Sequence, residues 1–252
     1  AKKIQGYFLT KPVFLQKHVL FFMQVQGIIF QIFCQMGGIF VARRPVFFAR
    51  DGKVFSRMFD FEWFPGFAVS QKQRSVQSLH HAVLAAVPDA SPLEVSTKGK
   101  EALGVGLSAF RLKLCGHTLE NVFQSAKVFQ QAGPFGDLLE ADPKDAKRDP
   151  RLKNSGPLTA FRYQGQDFPL EPKTVFYDWI YCAAVKESLT AEDLRTLLRF
   201  DCFSDIAFTP GKSLNTQARS AALVRLLLTE FGCLPDFSRD DFIRYHQTHV
   251  MD

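Results

Sequence analysis

Apolar and polar positions change rhythm several times along the chain. Residues 19–42 hold no charged side chain until Arg43 and are rich in Phe, Ile and Gln. From Arg44 onward, short apolar runs alternate with turn signals. Residues 45–48 and 53–58 flank Asp51-Gly52, a pair suited to a hairpin turn, and residues 59–64 continue as an aromatic strand or loop. Ser70 is positioned to cap a helix to about Ala86, with Val76, Leu79, Val83 and Leu84 on one face. Residues 88–92 end that helix, and short strands are expected at 93–96 and 106–114. Thr118 reads as the N-cap of a helix over about 119–131, stopped by Gly133-Pro134, and Asp142-Pro143 opens another. A hairpin is expected over 160–170. Helices follow from Pro172 to Lys186, from Thr190 to near Phe200 and over about 214–231, with a strand at 204–208 before the last. The residues from Pro235 are polar and are expected to be less ordered. The pattern is that of an α+β fold, a single mainly helical domain with short strands.

Charge divides the chain unevenly. The net charge of +6 sits in residues 1–44, which carry Lys2, Lys3, Lys11, Lys17, Arg43 and Arg44 and no acid. The rest of the chain balances 25 basic against 25 acidic residues, so it gives no global electrostatic argument for nucleic acid. Residues 1–43 are expected to stand outside the fold as an appended apolar and basic segment, with Met36 as a natural start. Residues 44–234 then form the domain and 235–252 a polar tail. An apolar run of this length is a membrane-span candidate, but Gln24, Gln26, Gln31 and Gln35 interrupt it and basic groups flank both ends. No signal-peptidase pattern follows. A cytoplasmic protein without a membrane anchor is the expectation. Five widely spaced cysteines without a CxxC pair, and histidines without metal-ligand spacing, predict free thiols, no metal site and no cofactor.

Candidate chemistry concentrates in residues 118–129, TLENVFQSAKVF. On a helix, Glu120, Gln124 and Lys127 fall within roughly 60° of one another, with Leu119, Val122, Phe123, Ala126 and Phe129 filling the adjoining face. An ordinary solvated helix face has the same spacing. Lys147, Arg148 and Arg151 suit a pyrophosphate or a solvated charged turn. Trp179, near Tyr177 and Tyr181, can stack on a base or fill the core. Asn215, Gln217 and Arg219 open the last long helix, whose N-terminus favours anions, while Asn215 is also a good N-cap. Asp205 is a candidate second acid. Trp63, Pro65, Gly66 and Phe67 either shape a base pocket or pack beneath the following helix. GKSLN at 211–215 lacks the upstream glycine of a P-loop.

Before the Glu120 helix stands Leu107-Ser108-Ala109-Phe110, so the chain reads LSAF-(x)9-E-(x)3-Q-(x)2-K. This resembles the NADAR proteins, whose FSNF-like strand precedes a helix reading E-(x)3-Q-(x)2-K-F. Ala109 replaces the Asn, and the aromatic comes two residues after Lys127, at Phe129. Residues 61–80, 146–156, 169–181 and 213–223 are similar to the NADAR branch that accompanies DarT-type toxins, which ADP-ribosylate guanine in DNA. The resemblance spans most of residues 44–232. It implies an N-glycosidase that removes ADP-ribose from guanine in DNA or nucleotides, with a DarT-type toxin as functional partner. It implies Glu120, Lys127 and Asp205 as catalytic residues, with Ser108, Phe110, Gln124, Lys147, Arg148, Asp178, Trp179, Asn215, Gln217 and Arg219 about the substrate. Glu120 would orient a ribose hydroxyl, stabilise an oxocarbenium-like state or activate water. Lys127 would donate a proton or attack C1 of the ribose as a neutral amine. The alternatives are a glycosidase for a riboflavin-pathway or other soluble ribosyl intermediate and a non-catalytic ADP-ribose reader.

Overall fold

A computed structural model describes residues 19–25, 28–35, 39–208 and 216–251, with side chains from residue 40 onward. Its centre is a hairpin of β3 (Ile39–Arg50) and β4 (Lys53–Trp63), longer than the apolar runs alone suggested. Asp51 (φ 53°) and Gly52 (φ 69°) supply the two left-handed residues of the turn, as their sequence implies. Along its other edge β3 meets β2 (Ile28–Gln35), itself paired with β1 (Val19–Val25), and further on β11 (Cys202–Ser204). β5 (Pro92–Glu94) runs parallel to β11 on the far side. The segment expected to stand apart therefore contributes strands, and β3 begins at Ile39, ahead of the Arg44 boundary. Met36, residues 1–18 and residues 209–215, with Asn215 and the GKSLN sequence, lie outside the described residues.

Side chains alternate across β3, so its two faces bury different layers. Ala42, Val46 and Phe48 meet Phe59, Phe61 and Trp63 of β4 under Val76, Leu79 and Val83 of α1 (Val69–Ala86). Leu84 stays exposed and the N-cap is Ala68, without a side-chain bond, so Ser70 does not cap this helix. Phe47, Ala49 and Phe203 face the larger core, which α6 (Val175–Ser188) and α8 (Gln217–Phe231) fill. Among the described residues, no helix is long and apolar enough to cross a membrane.

Two local expectations fail, one because the backbone closes a local turn and the other because a distant strand captures it. The strand expected over 106–114 is instead the end of α2 (Ala102–Gly106), a turn over 107–111, and β6 (Lys113–Leu114) paired with β7 (His117–Thr118). Leu107 and Ser108 donate their N–H groups back to Leu103 and Val105. Thr118 caps α3 (Leu119–Ser125) as expected, but that helix stops six residues early. There Arg162 N–H donates to the Ala126 carbonyl at 2.7 Å. The chain becomes β8 (Lys127–Phe129), edge strand of a sheet with β9 (Leu158–Tyr163) and β10 (Gln166–Phe168). Between them lie a 3-10 turn (Gly136–Glu140), α4 (Pro143–Arg148), which Asp142 caps, and α5 (Arg151–Asn154).

The rest follows the sequence more closely. Thr190 and Asp193 form a capping box for α7 (Ala191–Leu197). The tail is a correction: α9 (Arg239–His249), capped by Ser238, buries Phe242 and His246. Its four-residue spacing places both on one face, and a buried polar contact holds His246.

Candidate active site

α3 ends where the polypeptide turns into β8, so Glu120 and Lys127 belong to different elements. They nevertheless meet. Gln124 Nε2 donates to Glu120 Oε1 at 2.8 Å, and Lys127 Nζ donates to Gln124 Oε1 at 2.7 Å. The amide is the link: its two ends serve a carboxylate and an ammonium at once. Glu120 and Gln124 are each 5 % exposed and Lys127 is half-buried, so the row is no solvated helix face. Burial pulls the Lys127 amine down to about 8, with Glu120 opposing that shift and Lys147 adding to it. Lys147 Nζ, from α4, stands 3.5 Å from Glu120 Oε2 and 5.4 Å over the Phe110 ring.

The turn over 107–111 ties this row to the end of the central sheet. Glu120 N–H donates to the Ala109 carbonyl at 3.1 Å, and Ala109 N–H donates to Gln217 Oε1 at 2.9 Å. The Gln217 side chain also bonds Asp205, which follows β11. Burial raises Asp205 to about 6, against the Ala207 and Phe208 N–H groups, Gln217 and the charge of Lys147. Beside it, burial and the Asp205 charge push Glu94 up to about 8. Glu94 Oε1 accepts from Ile206 N–H at 2.9 Å and Ser96 Oγ at 2.6 Å, and Oε2 accepts from Ser204 Oγ at 2.5 Å. Tyr177 shares this interior: burial raises its phenol well above the ordinary value, and Glu120, Asp205 and Asp178 add to that.

Comparison with protein families matches residues 42–252 to the model of the DarT1-associated NADAR antitoxins. The chain belongs to that family. Among curated proteins, none matches it.

In this NADAR chain Glu120, Gln124, Lys127, Lys147 and Phe110 come together, and Ala109 and Gln217 connect them to Asp205. Ser108 is fully buried; its Oγ, together with Thr216 Oγ1 and Arg219 Nε at the start of α8, has no hydrogen-bond partner. Buried polar atoms of that kind are normally satisfied, so they suit a bound molecule or water. Asp178 sits differently from the expectation of ribose or base contact. Its carboxylate is fully buried and is taken by Ser220, by Arg219 at 3.3 Å and by His246 at 2.9 Å. Burial alone would raise it, but Arg219 and then His246 and Ser220 hold it below the usual carboxylate range. It is a structural hub joining α6, α8 and α9. Trp179, on the other side of α6, packs on Phe168 and Phe242 at 5.8 and 5.2 Å, away from the Glu120 row. It lines a cavity of about 290 Å³ with Cys182, Leu227 and Phe237.

Arg148 is exposed on α4. Arg151 is committed to a clamp on Asp149 and Asp137, at 2.9 and 2.6 Å, which leaves its fork unavailable to a pyrophosphate. Glu94, Asn121 and Arg44 were not among the sequence's candidates. Glu94 had a local signal, a carboxylate inside the apolar run PLEV. Asn121 had none: its Nδ2 donates to the carbonyls of Leu138, Leu139 and Ala141 at 2.7–3.0 Å, contacts made only after the chain returns.

Proposed function

We propose that the protein is an N-glycosidase that hydrolyses the bond between ADP-ribose and guanine, and that it counters a DarT1-type toxin in this way. The observation that carries the reading is the row of buried Glu120 and Gln124 and half-buried Lys127, in which an amine held near neutrality is linked through an amide to a carboxylate. A protein that only bound ADP-ribose would gain nothing from an amine held near neutrality and linked to a buried carboxylate. With a pKa near 8, about a tenth of Lys127 is neutral at pH 7, enough for a nucleophile that reprotonates rapidly.

The Lys127 amine attacks C1 of the ribose, and the bond from C1 to the guanine nitrogen breaks. Asp205, raised toward neutrality, hands a proton to the departing base. Glu120 stabilises the positive charge that grows at C1 as the bond lengthens. Opening of the ribose ring converts the amine adduct into an iminium. Water adds to that iminium, and its collapse returns the amine and yields ADP-ribose. The balance is substrate plus water giving ADP-ribose and unmodified guanine. Gln124 orients both charged partners, and the unpartnered Ser108, Thr216 and Arg219 atoms offer hydrogen bonds to the nucleotide.

The test is incubation of the purified protein with an oligonucleotide ADP-ribosylated on guanine, read by mass spectrometry, in parallel with borohydride. Release of ADP-ribose, and a borohydride adduct on Lys127, are the expected results. Turnover without an adduct would assign Lys127 to proton donation. Unimpaired turnover by Lys127→Ala or Glu120→Gln would overturn the site, and cleavage of a modified mononucleotide alone would move the substrate to the soluble pool.

A further inference from the structure

A second group of charges lies where β3 runs past the end of β11. Val46 pairs with Ser204, so Arg44 stands two residues further along β3, beside the chain that carries Asp205. It shares the α1 face with Ala42 and Val46. Arg44 is 8 % exposed, and its guanidinium lies 5.6 Å over the Trp63 ring. Nη1 donates to the Arg43 carbonyl at 2.9 Å, and Nε has no hydrogen-bond partner. Lys72, in the first turn of α1, brings its Nζ to 4.2 Å over the same ring. Lys98, in the loop after β5, is close enough that its charge, after burial and Arg44, lowers the Lys72 amine.

Most buried or half-buried cations elsewhere in the domain have acids. Arg50 pairs with Asp201, Arg219 with Asp178 and Arg151 with Asp149. Among the described residues, none of Arg44, Lys72 and Lys98 has a carboxylate within 4.0 Å. α1 begins without a side-chain cap and without an acid in its first turn, so its free N–H groups add to the positive potential. Three like charges partly withdrawn from water repel one another, and an orphaned buried guanidinium nitrogen adds a desolvation cost. A multiply charged anion would relieve both. Arginine's planar donor fork fits phosphate oxygens in pairs, and three cations match a pyrophosphate or successive phosphodiesters better than one carboxylate.

We propose that Arg44 and Lys72, gathered about Trp63 beside Asp205, form with the nearby Lys98 a binding site for phosphate oxyanions of the substrate. The site rests on the glycosidase reading only for what carries the phosphate: the diphosphate of ADP-ribose, or the backbone next to the modified guanine. Calorimetric titration of the full chain with inorganic pyrophosphate, ADP-ribose and an unmodified single-stranded oligonucleotide tests it. The Lys72→Ala/Lys98→Ala double variant is expected to bind at least one of these about tenfold more weakly. Loss confined to pyrophosphate and ADP-ribose assigns the diphosphate, and loss confined to the oligonucleotide, with a shallower salt dependence, assigns the backbone. Should the double variant melt early, Lys98→Gln alone, on the half-buried loop, repeats the measurement and is expected to weaken binding about threefold or more. Unchanged affinity for all three probes, or no binding of any probe by the native chain, overturns the proposal. Pyrophosphate binding that depends on these lysines in a protein that releases no ADP-ribose would keep the site and sink the glycosidase.

Discussion

Gln124 shows how much of the site depends on one side chain having two different ends. Gln124→Glu would place a second carboxylate between Glu120 and Lys127, and the added negative charge would raise the amine. We expect the turnover rate at pH 7 to fall about tenfold or more, with the alkaline rise of the pH–rate profile moving upward from about 8. A profile unchanged in position would show that the Lys127 proton does not govern the rate. The depressed amine also has a thermodynamic sign. Its folded pKa lies below the unfolded 10.5, so the unfolded chain holds more protons between about pH 8 and 10.5 and stability rises with pH across that window. Below it the buried charge is a standing cost, so Lys127→Met should stabilise the fold at pH 7 by on the order of 1–3 kcal/mol while abolishing turnover. Thermal melts of both proteins decide this. Glu94 behaves oppositely: its folded pKa is raised, so the stability it contributes is complete below about 4.5 and is lost as pH rises through about 8. Glu94→Gln keeps an oxygen for Ile206 N–H, and the Ser96 and Ser204 hydroxyls can turn to meet the amide. The decline of melting temperature between pH 5 and 8 should flatten in that variant. A decline as steep as in the native chain would mean that another group titrates there.

At the scale of elements, what the sequence makes legible is what neighbours decide. The Asp51-Gly52 turn, the Thr118, Asp142 and Thr190 caps and the long helices are written within a few residues of where they act. The end of α3 is not, because β9 arrives thirty residues later and takes the Ala126 carbonyl. The helical spacing still picked out three residues that meet, since a row that begins on a helix can be completed from an adjoining strand. The buried acid Glu94 and the cations around Trp63 were missed because their partners come from separate strands, loops and helices. Asn121 is the element-scale support of the site. Its amide holds the 3-10 turn over 136–140 that leads into α4 and hence to Lys147. Asn121→Leu leaves those carbonyls without their donor and should cost about 1–3 kcal/mol, with a larger loss in substrate affinity than in turnover. Unaltered affinity would separate α4 from binding.

At the scale of the molecule, two buried polar centres hold the layers in place. One is Asp178, which joins α6, α8 and α9 through Ser220, Arg219 and His246. Deleting residues 238–252 removes His246 and uncovers Trp179, so we expect a destabilisation of about 3–5 kcal/mol and loss of cooperative unfolding. A truncated protein that melts like the full chain would relegate α9 to decoration. The other centre is the end of β5 and β11. β11 lies between β3 and β5 although more than a hundred residues separate it from either. Until residues 202–204 arrive, β3 and β5 have no strand to join them in one sheet, and Glu94 and Arg44 lack the chain that carries Asp205 between them. A chain built this way has high contact order and folds slowly. On the glycosidase reading, assembly of the site is a late event in folding: refolding followed by activity should lag behind refolding followed by helix content, and an antitoxin of this build protects on the timescale of that last strand insertion rather than of synthesis alone.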